Sequence, residues 1–215
     1  AHVVGYSHVR KALFEGDYSA SHAFLYSNGT MKDLGTLGGK QSAAYGINDH
    51  GQMVGYSETS PVGLFETSYD HAFLYSNGSM KDLGTLESNS YAYGINNQGQ
   101  VVGHSEFPGF FFSPPGVRAF LYSNGSMKDL GILGGYNYAY GINDQVQVVG
   151  SSRPPFGGQY RAFLYSNWNG SMEELVEPWD PGMGSAYGIN EKGQVVGHTY
   201  SDVDFKGSAR AFLYS

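Results

Sequence analysis

The chain has 215 residues, of which 14 % are charged and 15 % aromatic, with 32 glycines and no cysteine. So small a charged fraction, against about 25 % on average, excludes a coiled coil or a charge-driven disordered tail. The net charge of −7 excludes the basic surface that nucleic acid binding requires, and without cysteine there are no disulfides and no thiolate metal ligands. Abundant glycine and aromatic residues favour an all-β protein of strands joined by tight turns.

Four short strand motifs recur along the chain. Val-Val-Gly or Met-Val-Gly ends at Gly5, Gly55, Gly103, Gly150 and Gly197. Ala-Phe-Leu-Tyr-Ser begins at Ala23, Ala72, Ala119, Ala162 and Ala211. Met-Lys-Asp-Leu follows it, and Tyr-Gly-Ile-Asn then begins at Tyr45, Tyr93, Tyr140 and Tyr187. The apolar runs are far shorter than the roughly 20 residues that cross a bilayer, so we expect no membrane span.

Turn residues indicate how these strands connect. Asn28-Gly29 and its repeats lie between Ala-Phe-Leu-Tyr-Ser and Met-Lys-Asp-Leu, and Asn-Gly between two strand motifs predicts a two-residue hairpin. Glycine also stands at the left-handed position of the turn between Tyr-Gly-Ile-Asn and Val-Val-Gly, except in the copy that carries Val146. A β-branched residue is unfavourable there, so we expect this one turn to be rebuilt locally.

Each unit therefore predicts a four-stranded antiparallel meander, with Tyr-Gly-Ile-Asn as its first strand, Val-Val-Gly as its second, Ala-Phe-Leu-Tyr-Ser as its third and Met-Lys-Asp-Leu as its fourth. This period with four strands is typical of a β-propeller blade. We predict a single repeat domain over residues 1–215 that forms a five-bladed propeller. We expect the glycines of each first strand to lie in the crowded central channel, where backbones approach closely. Its units span approximately residues 1–40 (partial), 41–88, 89–136, 137–183 and 184–215 (partial).

The motifs provide 18 strands, whereas five complete blades need 20. We expect the unit from Gly193 to Ser215 to dock against the unit from Val3 to Leu34, with the amino-terminal segment supplying a strand to the last blade. If the ring stays open, its free edges predict self-association.

The sequences His-Ala-Phe-Leu-Tyr-Ser-Asn-Gly-Ser-Met-Lys-Asp-Leu-Gly-Thr-Leu and Tyr-Ala-Tyr-Gly-Ile-Asn-Asn-Gln-Gly-Gln-Val-Val-Gly resemble the HAF repeat, a family of extracellular bacterial repeats. The resemblance covers nearly the whole chain and implies secretion and repetition. In unit length and blade number the chain also resembles five-bladed tachylectin-type lectins, which bind amino sugars between blades. That second resemblance is architectural, because no lectin motif matches residue by residue.

The loops between the second and third strands of each unit differ in sequence and are rich in aromatic residues. Variable loops on a rigid scaffold commonly carry binding sites. They span residues 8–21, 58–70, 106–117, 152–160 and 199–209. Their candidate ligand-binding side chains are Phe65, Tyr69, Phe112, Phe156, Tyr160 and Tyr200. The structural alternative is that these loops fold back and bury their own rings.

A basic or imidazole side chain precedes each Ala-Phe: His22, His71, Arg118, Arg161 and Arg210. As binding residues they would donate hydrogen bonds to sugar hydroxyls or carboxylates. As structural residues they would pair with acidic side chains of the fourth strand. The hairpin register places Asp33 opposite Phe24, so an ion pair with His22 requires a diagonal contact.

The sequence contains no recognisable catalytic, phosphate-binding or metal-binding motif, and we expect no cofactor. We predict a secreted, lectin-like protein that binds carbohydrate or a cell-surface partner and is not an enzyme. One alternative is a structural or protein-interaction module of a larger extracellular protein. A second is a polysaccharide hydrolase or lyase, since enzymes occur on five-bladed propellers.

Overall fold

The computed structural model describes residues 2–8, 20–61, 68–109, 115–131, 134–166, 170–175, 184–201 and 208–215. Within these ranges the regular structure consists of β-strands without a helix, which confirms the all-β prediction. It follows that the described residues include no helix able to cross a membrane.

The strands follow the repeat units in chain order. The first unit contains β1 (His2–His8), β2 (Ser21–Ser27) and β3 (Thr30–Asp33). The second contains β4 (Gly38–Ile47), β5 (Met53–Thr59), β6 (Asp70–Ser76) and β7 (Ser79–Asp82). The third contains β8 (Ser90–Ile95), β9 (Val101–Phe107), β10 (Gly116–Ser123) and β11 (Ser126–Asp129). The fourth contains β12 (Tyr136–Ile142), β13 (Gln147–Arg153), β14 (Arg161–Ser166) and β15 (Ser171–Glu174), and the fifth β16 (Gly184–Ile189), β17 (Val195–Ser201) and β18 (Ser208–Tyr214).

Strands that are consecutive within a unit pair antiparallel, so the second, third and fourth units are four-stranded meanders. The predicted hairpins are confirmed, since Asn28 and Gly29 have φ of 52° and 81°, both in the left-handed region. The register of this hairpin places Phe24 opposite Asp33, as predicted. Single parallel bridges, Ser21 to Gln41 and Val117 to Tyr136, connect neighbouring meanders.

The expectation of a rebuilt turn at Val146 is wrong. Val146 adopts φ of 60°, and its backbone N donates to Asn143 O at 3.0 Å, as Gly51 N does to Asn48 O at 3.0 Å. The Asn143 side chain holds this turn, because its Oδ1 accepts hydrogen bonds from the backbone N of Gln145 and Gln147 at 3.1 and 2.9 Å. The turn geometry therefore does not depend on residue 146 being glycine.

Neighbouring units stack face to face, and a hydrophobic cluster fills each of the four seams between them. We call the surface of a unit that meets the following unit its trailing face, and the opposite surface its leading face. At the third seam, between the third and fourth units, Val102 and Leu121 form part of the trailing face. Val148 and Tyr165 of the opposing leading face pack against them in one buried cluster.

Close backbone approach occurs between first strands of successive units. A Cβ added to Gly46 would lie 2.7 Å from Tyr93 O, and one added to Gly94 would lie 2.9 Å from Tyr140 O. Such contacts exclude any larger residue without a shift of the backbone. The expectation that these glycines allow backbones to approach closely is confirmed at these two positions.

Asparagine side chains connect the same strands at their turns. The Nδ2 atoms of Asn48, Asn96 and Asn143 each donate to the backbone carbonyl of the next equivalent asparagine, at 3.0, 3.1 and 3.1 Å. Each amide also donates to a glutamine Oε1 within its own turn. One side chain thereby holds both its own turn and the following unit.

No described strand pairs the fifth unit with the first, and no sheet closes on itself. All seven residues of β1 pair with β2. The expected docking of the unit from Gly193 to Ser215 against the unit from Val3 to Leu34 is therefore not seen among the described residues. In this part of the chain the stack is open at both ends.

Candidate binding site

The side chains that precede Ala-Phe mostly form pairs within their own sheets. His22 Nδ1 lies 2.8 Å from Asp33 Oδ2 through the predicted diagonal contact, and Asp33 Oδ1 also accepts Gly35 N at 2.7 Å. His71 pairs with Asp82 at 2.9 Å, Arg161 with Glu174 at 2.8 Å, and Arg118 with both Glu87 and Asp129 at 3.5 Å. Arg210 is exposed on β18. Four of the five predicted donors therefore already have acidic partners.

The predicted aromatic side chains of the loops do not form one group. Phe65 and Phe112 lie outside the described residues, as does the side chain of Tyr200. Phe156 is 91 % exposed, and Tyr69 is also exposed. Tyr160 is half-buried and packs against Tyr138, with 6.1 Å between ring centroids.

Tyrosines of the first strands form a row across four units. The rings of Tyr45, Tyr93, Tyr140 and Tyr187 follow one another with centroid separations of 5.3, 5.5 and 5.4 Å. Because each unit contributes one ring at the same strand position, the stacking of the units sets this spacing. The row provides an aromatic wall along the first strands.

A second set of rings meets across the seams. At the second seam Tyr56 contacts Tyr91 with 5.2 Å between centroids, and at the third seam His104 contacts Tyr138 with 4.9 Å. One ring of each pair follows a Val-Val-Gly or Met-Val-Gly motif, and the other lies two residues before a first-strand tyrosine. At these two seams, each of the two units contributes one ring to the pair.

Serines occupy both equivalent positions at the fourth seam. Ser151 lies opposite Tyr138 in the fourth unit, and Ser185 lies opposite His198 in the fifth. Both serines are buried. Two small side chains thus replace the pair of rings that fills the preceding seam.

A cavity of about 400 Å³ lies at this fourth seam. Its walls contain both serines together with Tyr138, Tyr140, Gln159, Tyr160, Gly184, Tyr187 and His198. Gln159 and Tyr160 come from the variable loop of the fourth unit, and Tyr160 O accepts Gly184 N of the fifth unit at 2.6 Å. The cavity therefore lies at the loop end of the sheets, where the sequence predicts a ligand.

The described walls of the cavity are polar. Burial raises the pKa of Tyr140, an effect that the nearby Ser151 hydroxyl partly offsets, and burial followed by the proximity of Tyr160 raises the pKa of Tyr138. Both phenols therefore stay protonated and can donate. Ser151 Oγ is buried and makes no hydrogen bond of good geometry with a described residue. A buried hydroxyl in that state is available to a ligand.

Sequence reasoning found Tyr160 but missed Tyr138, Ser151, Ser185 and His198. A signal existed in the repeats, because the residue after each Val-Val-Gly is aromatic or histidine except at Ser151. Within the described ranges, no group of three or more His, Cys, Asp or Glu side chains is placed to hold a metal ion.

One protein family accounts for nearly the whole array. The family described as "Protein of unknown function (DUF3466)" matches residues 2–133 and, in a second copy, residues 134–215. The chain belongs to this family. Membership of DUF3466 assigns no activity, and no curated protein matches the chain.

Among solved structures, the crystal structure of TolB from Acinetobacter baumannii is similar to this DUF3466 chain, with a TM-score of 0.55 and 18 % identity. The alignment covers 90 % of this chain and 46 % of that TolB chain, so the DUF3466 chain spans about half its length. At this identity the similarity concerns the β-rich fold alone.

Proposed function

We propose that this DUF3466 chain is a carbohydrate-binding module that holds a neutral sugar residue in the cavity of the fourth seam. The observation that carries the proposal is the replacement of a buried ring pair by Ser151 and Ser185. The residues around the two serines keep their rings, so the space has aromatic neighbours. A flat, ring-shaped ligand matches that space.

The chemistry of the cavity walls favours a sugar over other ring-shaped ligands. Tyrosine rings offer apolar faces to the C–H face of a pyranose, and their hydroxyls provide polar edges. Ser151 Oγ and the Gln159 amide add donors and acceptors for sugar hydroxyls. Among the described residues the walls contain no Asp, Glu, Lys or Arg, which favours a neutral sugar over a uronic acid. The volume lies within the roughly 300–1,000 Å³ of ligand pockets.

In this proposed function the chain binds the sugar without catalysing a reaction on it. The chain belongs to an extracellular protein, and its units are propeller blades. Glycoside hydrolysis commonly uses two carboxyl groups beside the scissile bond, and the wall residues that the structure describes offer none. The antiparallel meanders, stacked face to face, support a β-propeller arrangement, and so does the similarity to the fold of TolB. The resemblance to HAF repeats supports secretion.

The test is to restore the missing ring pair. The double substitution Ser151→His with Ser185→Tyr recreates the His104–Tyr138 contact of the third seam and fills the cavity. A glycan array with the purified chain identifies a neutral ligand, and titration calorimetry compares the variants. We expect the double variant to lose affinity more than tenfold, equal to at least about 1.4 kcal/mol.

The matched control is Ser79→Tyr, which adds the same side chain at an exposed position of β7. This control should bind like the wild type, and thermal unfolding should show that all variants are folded. Binding of only acidic glycans, or unchanged affinity in the filled variant, contradicts the proposal.

A further inference from the structure

An arginine stands in the fourth unit where the two preceding units carry a glutamate. Arg153 is the third residue after Val-Val-Gly, a position taken by Glu58 in the second unit and Glu106 in the third. Both carboxylates accept a hydrogen bond within their own unit, Glu58 from Ser68 Oγ at 2.6 Å and Glu106 from Asn89 Nδ2 at 3.0 Å. The charge at this position is therefore reversed in the fourth unit.

Two tyrosine rings flank the guanidinium of Arg153. Its Cζ lies 5.4 Å from the ring centroid of Tyr136 and 5.5 Å from that of Tyr160. Tyr136 lies opposite Arg153 in the pairing of β12 with β13, as Asn89 lies beside Glu106 in the third unit. Cation–π contacts of this kind hold a guanidinium in place without neutralising its charge.

Arg153 lacks an acidic partner among the described residues. The arginines before Ala-Phe in the third and fourth units, Arg118 and Arg161, both form ion pairs, whereas no described carboxylate lies within ion-pair distance of Arg153. Its Nε is buried without a hydrogen bond to a described residue, although the side chain as a whole is partly exposed. A guanidinium is always charged and matches the geometry of a carboxylate, so Arg153 offers a position for an anionic group.

This position adjoins the cavity of the fourth seam. On β13, Arg153 follows Ser151 by two residues, so the two side chains project from the same face of the sheet about 7 Å apart. The ring of Tyr160 joins the two places, because it forms part of the cavity wall and also packs on the guanidinium. A group attached to a sugar in the cavity therefore reaches Arg153 along the ring of Tyr160.

We propose that Arg153 binds the carboxylate of a uronic acid joined to the neutral sugar in the cavity. This inference rests on the proposed function, since the cavity must hold the neutral residue. The ligand class is then an acidic polysaccharide in which neutral and uronic acid residues are neighbours. The cavity recognises the shape of the neutral residue, and the terminal N–H groups of Arg153 donate to the carboxylate of its neighbour.

Two disaccharides that differ in one carboxylate test the proposal. Each joins the neutral sugar selected by the glycan array to a second residue, which is glucose in one and glucuronic acid in the other. In titration calorimetry at neutral pH, the wild type should bind the acidic disaccharide about fivefold more tightly, as suits a partly exposed ion pair. Arg153→Gln should bind both disaccharides equally, with the affinity that the wild type has for the neutral one.

Salt provides a measurement that needs no variant. High salt screens a partly exposed ion pair, so it should abolish most of the wild type's preference for the acidic disaccharide. Binding of the neutral disaccharide should stay unchanged. A preference that persists at high salt contradicts recognition by charge.

The control is Lys192→Gln, which removes a positive charge from the exposed turn between β16 and β17. It should keep the wild-type preference, and thermal unfolding should show that both variants are folded. Equal affinity of the wild type for the two disaccharides overturns this inference and leaves the proposed function standing, as does a preference that Arg153→Gln retains. A wild type that binds neither disaccharide overturns the proposed function and this inference together.

Discussion

At residue 146, a valine occupies a backbone conformation that suits glycine. Its φ of 60° compares with 70°, 77° and 76° at Gly51, Gly99 and Gly193 in the three equivalent turns. The left-handed region costs an L-residue about 1–2 kcal/mol, and the asparagine-held turn leaves residue 146 no alternative. The partly buried Val146 side chain packs against the cluster of the third seam, which offsets part of that cost.

We expect Val146→Gly to be more stable than Val146→Ala by about 1 kcal/mol. Both substitutions lose the packing of the valine side chain, but only glycine relieves the backbone strain. The difference between their free energies of unfolding therefore measures that strain. Urea unfolding measures the two free energies. Equal stabilities would show that the turn in solution does not hold residue 146 at positive φ.

His104 is buried between aromatic rings, and burial lowers its pKa from 6.5 to about 4. Its ring lies 4.9 Å from both the Tyr91 and Tyr138 centroids, and Nδ1 is buried without a hydrogen bond to a described residue. The native seam therefore contains the neutral imidazole.

This burial predicts a loss of stability in mild acid. As the pH falls below 6.5, the unfolded chain binds a proton that the folded chain accepts only near pH 4, so unfolding becomes easier. Above pH 6.5 the contribution of His104 to the free energy of unfolding is fully present. Between pH 6.5 and about pH 4 the free energy of unfolding should decrease by up to about 3 kcal/mol. His104→Phe should remove this pH dependence. Urea unfolding at several pH values measures the free energies of unfolding of the wild type and the variant. Their difference cancels the effect of the other titrating groups. A difference that does not change with pH contradicts a buried neutral imidazole.

At the scale of elements, the turn asparagines have two separable roles. Asn96 Oδ1 accepts Gln100 N at 2.9 Å within its turn, and its Nδ2 also donates to Asn143 O of the next unit. Asn190 Oδ1 makes the same bond to Gln194 N at 3.0 Å, but in the described chain no unit follows it. The two asparagines form a natural matched pair.

Asn96→Ala should destabilise the protein by about 1–2 kcal/mol more than Asn190→Ala. Both variants lose the turn bonds, while only Asn96→Ala also removes the bond to the Asn143 carbonyl of the next unit, which then keeps Val146 N as its donor. Chemical denaturation gives both values. If the two losses were equal, the bond between units would contribute nothing to stability.

At the scale of the whole molecule, stability should vary along the stack. Each interior unit buries two faces, whereas the first and fifth bury one, and units in stacked arrays are stabilised mainly by their neighbours. We expect amide hydrogens of β1 and β18 to exchange faster than those of β5, β9 and β13. Hydrogen exchange followed by mass spectrometry measures the exchange rate of each of these strands. Uniform protection would contradict independent end units.

Local signals in the sequence determined the strands and their hairpins. The Asn28-Gly29 turn needs positive φ at two adjacent positions, so the residues themselves select the hairpin, its register and the diagonal pair of His22 with Asp33. Repetition of the motifs then determined that each unit would form the same meander. These features depend on residues close together in the chain.

The cavity, the turn at Val146 and the strand that pairs with β1 were decided by tertiary structure. Ser151 and Ser185 belong to different units, and their small size has consequences only because stacking places them at one seam. Residue 146 tolerates valine because Asn143 and the seam cluster hold it. The pairing of β1 with β2 along its whole length depends on which strands meet, and no local motif encodes that. Sequence periodicity determines the shape of each unit, whereas contacts between distant units determine how the stack packs and where it leaves space.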